Sequence, residues 1–145
     1  MSKYVRIQEL GAIGENIVKQ LFETTDTVAL SKDKYDDQKD MTSAGKTIEV
    51  KTHIPIYKYS AFCLPSNQWK KADEVDRLIF VEVPKVSGNP INVFEAVTKK
   101  YYTIRFLGDI KRMYPIEDLH LLKKVEDTDL SVKMHALSPS NYKVV

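Results

Sequence analysis

The sequence predicts an α/β (α+β) domain with a mixed central β-sheet flanked by helices. Three observations lead there. Segments with helical period and segments with strand period alternate along the chain. The run Leu78-Ile79-Phe80-Val81-Glu82-Val83 is apolar enough for a central strand covered on both sides. The chain has 145 residues and is 43% hydrophobic, which suits one domain with a substantial core.

The elements follow in order. Residues 5–23 predict a helix, because Leu10, Ile13, Ile17 and Leu21 form an apolar stripe widened by Val18 and Phe22. Gly11 and Gly14 each weaken that helix by up to roughly 1 kcal/mol relative to alanine, and suggest close packing against a neighbour. Glu15 falls on the rim of the apolar face. Residues 27–30 predict a short strand, and the polar stretch 31–39 a loop. Strand pairing is expected between residues 40–43 and 47–54, across a turn at Ser43-Ala44-Gly45-Lys46, with Pro55 as the stop. Residues 57–64 are expected to form another strand or an extended loop. A helix is expected to about residue 76, with Ser66 as N-cap. After the strand at 78–83, Pro84 and a loop through Pro90, strands are expected at 91–97 and 101–106. Residues 115–119 predict a helical turn. From residue 126 onward the chain is polar and aperiodic, so the domain is placed at 1–125 and an extension or arm at 126–145.

Composition narrows the function. No apolar run is long enough to cross a membrane, and the first residues lack the apolar core of a signal peptide. One cysteine excludes an internal disulfide framework, and with three scattered histidines it argues against structural zinc. A cytoplasmic protein is expected. The net charge of +2 neither requires nor forbids a nucleic-acid partner. Lys70-Lys71 and Lys99-Lys100 are basic pairs, and Tyr101, Tyr102 and Arg105 lie beside the second. Such basic–aromatic stretches can hold a phosphate backbone, although for any single pair the solvated face is the favoured reading.

One motif carries chemistry. Acid-x-Lys occurs at Asp37-Gln38-Lys39, Glu49-Val50-Lys51 and Asp109-Ile110-Lys111, but only the second lies within a clearly alternating strand. There Thr47, Glu49, Lys51 and His53 share one face, while Ile48, Val50, Thr52 and Ile54 share the other. Glu49 and Lys51 therefore stand about 7 Å apart along the strand. Asp40 precedes them across a turn. Two carboxylates and a lysine converging on one point suit a hard divalent cation and a phosphodiester. The alternative is an exposed ion-pair face of little energetic weight.

A helix bearing Gly11-Ala12-Ile13-Gly14-Glu15, a strand, Asp40, Glu49-Val50-Lys51, a helix and a buried strand resemble the PD-(D/E)XK nuclease superfamily. That group includes restriction endonucleases and Holliday junction resolvases. The resemblance spans roughly the first 85 residues. It departs from the pattern at Lys39, where many members have proline. The interval of eight residues between Asp40 and Glu49 is short, which leaves Asp36 or Asp37 as alternative ligands. The resemblance implies a restriction-endonuclease-like core and a Mg²⁺-dependent DNA endonuclease, with Mn²⁺ as a substitute. Asp40, Glu49 and the Val50 carbonyl would be metal ligands, Lys51 would act on the attacking water, and Glu15 would assist. Gln68 falls where some members carry a functional glutamine. Gln68, Lys70, Lys71, Lys99, Lys100 and Arg105 are candidate DNA contacts, and a homodimer would place two sites on two strands. Branched or sequence-specific DNA remain open as substrates, as does RNA. A non-catalytic binding module of the same fold is the alternative.

Overall fold

The computed structural model describes residues 3–22, 29–30, 41–56, 58–83 and 89–126. Asp40 lies outside the described residues. So do Asp36, Asp37 and all of the extension except Glu126.

Helix α1 spans Lys3–Phe22. Strands β1 (Ala29–Leu30), β2 (Met41–Ser43) and β3 (Lys46–His53) follow, then β4 (Ala61–Pro65). A 3-10 turn at Ser66–Gln68 leads into the short helix α2, Trp69–Glu74. Strand β5 is Arg77–Glu82, β6 Ile91–Glu95, β7 Tyr102–Phe106, β8 Asp109–Pro115 and β9 His120–Val125. Among the described residues these strands form two sheets. A six-stranded mixed sheet runs in the order β1-β2-β3-β5-β6-β9, and a three-stranded antiparallel sheet in the order β4-β8-β7. The fold is therefore α+β with a mixed main sheet.

Turn chemistry closes two of the hairpins. Ala44 and Gly45 both have positive φ between β2 and β3, as do Leu107 and Gly108 between β7 and β8. Two consecutive left-handed residues match the twist of the strands they join. The parallel pair β3–β5 needs a crossover, which β4 and α2 supply.

Both faces of the main sheet are covered. On one, α1 contributes Ile17 and Val18 to a layer with Met41, Ile48, Val50, Ile79 and Val81. On the other, Leu78 and Phe80 meet Phe62, Leu64 and Tyr114 of the second sheet and Ala72 and Val75 near α2. The rings of Phe62 and Phe80 stack with centroids 4.7 Å apart. Strand β5 thus alternates side chains between two apolar layers, which explains its unbroken hydrophobic run. Among the described residues no helix is long and apolar enough to cross a membrane.

Two expectations are corrected, the Ser66 cap and close packing at Gly11, while the helical turn is found. Ser66 makes no side-chain cap bond, because the chain enters α2 through a 3-10 turn. The helical turn expected at 115–119 is a 3-10 turn at Ile116–Asp118, with strands β8 and β9 on either side of it. The two helix glycines also differ. A Cβ on Gly14 would lie 1.7 Å from Thr52 Oγ1, so α1 touches β3 there as no other residue allows. A Cβ on Gly11 would meet nothing within 4 Å.

Opposite signs follow for the same substitution. Gly11→Ala is expected to stabilise the fold by about 0.5–1 kcal/mol through helix propensity alone. Gly14→Ala is expected to destabilise it by about 1–3 kcal/mol through overpacking against Thr52. Urea unfolding of the two variants checks this, and a shared sign would contradict the packing of α1 on β3.

Candidate active site at the junction of β3 and α2

Glu49 projects from β3 toward the second apolar layer, beside Leu78 in the parallel register. Its side chain is only 1% exposed. An isolated carboxylate so placed would be costly, but two ammonium groups accompany it. Lys51 Nζ lies 2.7 Å from Oε2, and Lys71 Nζ lies 3.2 Å from Oε1. Lys51 also donates to Gln68 Oε1. Strand alternation brings Lys51 to the side of Glu49. Gln68 and Lys71, three residues apart at the start of α2, present their ends to the same point.

Nonlocal contacts hold these elements in place. Thr47 N donates to Asp76 Oδ2 and Asp76 N to Thr47 Oγ1, each at 2.9 Å, joining the start of β3 to the chain just after α2. Thr47 Oγ1 also donates to Asp76 Oδ2 at 3.2 Å, and the exposed Asp76 carboxyl is held below its ordinary pKa by the Thr47 backbone bond first and this hydroxyl bond second. Asp73, on α2, accepts a bidentate pair from Arg112 of β8 at 2.7 and 3.0 Å. That guanidinium lies 5.0 Å from the Trp69 ring centroid and 4.0 Å from that of Tyr101. Trp69 Nε1 donates to Leu64 O at 2.9 Å. The second sheet thus grips α2 and sets where Gln68 and Lys71 point.

His53, further along the same face of β3, has its pKa lowered to about 4, first by burial and then by the charge of Lys51. It is neutral near pH 7 and adds no second cation beside that lysine.

The structure brings together Glu49, Lys51, Gln68 and Lys71. Val50, between Glu49 and Lys51, turns its side chain into the opposite layer. Glu15 belongs to α1, which packs on the Ile48–Val50–Thr52 face, opposite to Glu49. The surroundings of Glu49 among the described residues are cationic, the reverse of the carboxylate crowding that Asp40, Glu49 and Glu15 would create together. Among the described residues no three His, Cys, Asp or Glu side chains group as a metal-ligand set. Met41, the residue after Asp40, pairs with Ile48, the residue before Glu49.

The basic candidates divide as well. Lys71 is committed to Glu49. Lys99 donates to the carbonyls of Asp73 and Val75 and so caps the C-terminal end of α2. Lys100 lies 3.9 Å from Asp118. Lys70 and Arg105 are exposed, and among the described residues Arg105 reaches the Gly108 carbonyl of its own hairpin at 3.4 Å. The pairing of Lys71 with Glu49 and the Asp73–Arg112–Trp69 cluster were not anticipated. The spacing of Gln68 and Lys71 was a signal for the first. Nothing local marks the second, whose ion pair joins residues 39 apart.

Comparisons of the chain with family models, curated proteins and solved structures give no match.

Glu49→Gln removes the anion between two ammonium groups. Without added metal it is expected to destabilise the fold by about 1–3 kcal/mol, below the full cost of breaking a buried pair because both lysines retain some exposure. Adding Lys71→Met is expected to recover part of that loss. Denaturant unfolding in EDTA checks this, and a Glu49→Gln protein as stable as wild type would contradict the charge arrangement.

Proposed function

We propose that this chain is a metal-dependent DNA endonuclease of the PD-(D/E)XK kind. One observation carries the reading. Glu49 and Lys51 are held together on β3, the last strand of an antiparallel β1–β2–β3 meander, which runs parallel to β5, with Gln68 brought to Lys51 from the intervening helical segment. This is the element order that the resemblance implies.

The donor chemistry suits Mg²⁺ or Mn²⁺ in part. Glu49 supplies a buried hard oxygen donor and Val50 a backbone carbonyl, while Asp40, the second carboxylate of the proposed set, lies outside the described residues. Bound there, the cation would polarise a phosphoryl oxygen and offset charge as it develops. The chain's own groups do the rest. Hydrolysis forms one P–O bond from water and breaks one P–O ester bond. The water loses a proton and the departing oxygen gains one. Lys51 orients the water or opposes the phosphate charge, and Gln68 fixes the lysine by accepting from it. Lys71 adds a second positive charge at the same point. Glu15, on the other face of β3, would act only at a distance. A homodimer would cut both strands of a duplex, and a cytoplasmic location goes with this reading.

A second reading has an observation of its own. Two lysines already balance Glu49, so the cluster is electrostatically complete without a cation. That favours a non-catalytic nucleic-acid-binding module with a nuclease-like core.

Supercoiled plasmid and a four-way junction, incubated with Mg²⁺, Mn²⁺ or EDTA, separate the two. The nuclease reading expects cation-dependent cleavage that Lys51→Ala lowers roughly 10²-fold or more while DNA affinity changes little. Equal loss of binding and cleavage would make Lys51 an anchor for substrate, and no cleavage with either cation would favour the binding module.

A further inference from the structure

One residue along the chain from Gln68 of the Glu49 cluster, Trp69 lines a cleft of about 720 Å³ that the chemistry above does not use. It separates the start of α2 from the β7–β8 hairpin. Pro65 and Trp69 line one side, and Thr103, Arg105, Asp109 and Ile110 the other. Trp69 directly follows Gln68, the residue that accepts from Lys51. The cleft and the Glu49 cluster are therefore neighbours along a single turn of chain.

We propose that this cleft receives an unpaired nucleobase, stacked on Trp69, of a strand whose phosphate reaches Lys51. The proposal rests on the nucleic-acid reading of the Glu49 site and specifies its substrate as DNA with single-stranded character. The indole is already fixed, through its bond to Leu64 O and the Arg112 guanidinium held by Asp73. A ring so placed loses little freedom when a base stacks on it. Pro65 and Ile110 offer apolar contact to a flat ring, while Thr103 and Asp109 offer polar groups to its edges. Arg105, exposed on β7, and Lys70, exposed next to Trp69, suit the phosphates on either side. A base within a blunt duplex would have to leave its stack to enter, whereas a flap, a junction arm or a single strand presents one freely.

Trp69 is the only tryptophan in the chain, so its fluorescence reports on this cleft alone. The experiment titrates the full chain, in EDTA, with a short oligothymidylate, a blunt duplex and free thymidine monophosphate. Anisotropy of a labelled oligonucleotide follows affinity in parallel. The expected result is saturable quenching by the single strand, with much weaker quenching by duplex and monophosphate. Ile110→Glu, a change on an exposed strand position, is expected to lower single-strand affinity on the order of tenfold. Arg105→Ala is expected to lower it less and to reduce its salt dependence. Absent quenching, equal quenching by duplex or monophosphate, or unchanged affinity in Ile110→Glu would overturn the proposal. Because no cation is present, the result is independent of cleavage. Cation-dependent cutting without quenching would remove the base site and keep the nuclease. Quenching without cutting would keep the base site and remove the nuclease.

Discussion

Burial of the Glu49 carboxylate constrains everything around it. A charge with 1% of its side-chain surface exposed costs several kcal/mol unless opposite charge is buried with it. Lys51 comes from the same strand and needs only period-2 geometry. Lys71 comes from a six-residue helix, and Gln68 from the 3-10 turn before it, neither of which could hold its own shape alone. The site therefore depends on whatever clamps α2. That clamp has three parts: the Thr47–Asp76 bonds, the Asp73–Arg112 pair with its flanking Trp69 and Tyr101 rings, and the Lys99 ammonium on the last carbonyls of α2. The second sheet is thus more than a cover for the core. It supplies Arg112, and with it the angle at which α2 presents its polar face to β3.

The same arrangement gives the two faces of the main sheet different tasks. The α1 side is apolar and closely approached, with Gly14 against Thr52. The α2 side is apolar beneath the second sheet and turns polar where β3 leaves that cover. A buried anion and its partly exposed cations sit at that border, where their charges act strongly.

Much of this was legible in the sequence where the signal was local. The alternation Thr47, Glu49, Lys51 fixed which side chains share a face, and Ala44-Gly45 marked the hairpin turn. The all-apolar run at Leu78–Val81 marked a strand covered twice. The remainder depends on residues far apart in the chain. Strand β8 reads as charged and polar, Asp109-Ile110-Lys111-Arg112, and Arg112 is buried only because Asp73 meets it. Strand β9 pairs leucines with lysines in doublets that match neither period, as its place at the sheet edge permits. No local pattern says that β4, β7 and β8 leave the main sheet to form a second one. Nor does the spacing of Gln68 and Lys71 alone say that one meets Lys51 and the other Glu49, since a helix face acquires meaning only from what it packs against.

The central claim is that the Glu49–Lys51 pair on β3 is the metal-dependent centre of a nuclease. Crystals of the protein grown with a non-cleavable DNA analogue and Mn²⁺ test it most directly, through the anomalous signal of the ion. The account expects a Mn²⁺ peak bonded to the Glu49 carboxylate, with Lys71 displaced toward the phosphate. Mn²⁺ bound elsewhere, or absent, with Glu49 still held between Lys51 and Lys71 beside bound DNA, would contradict it.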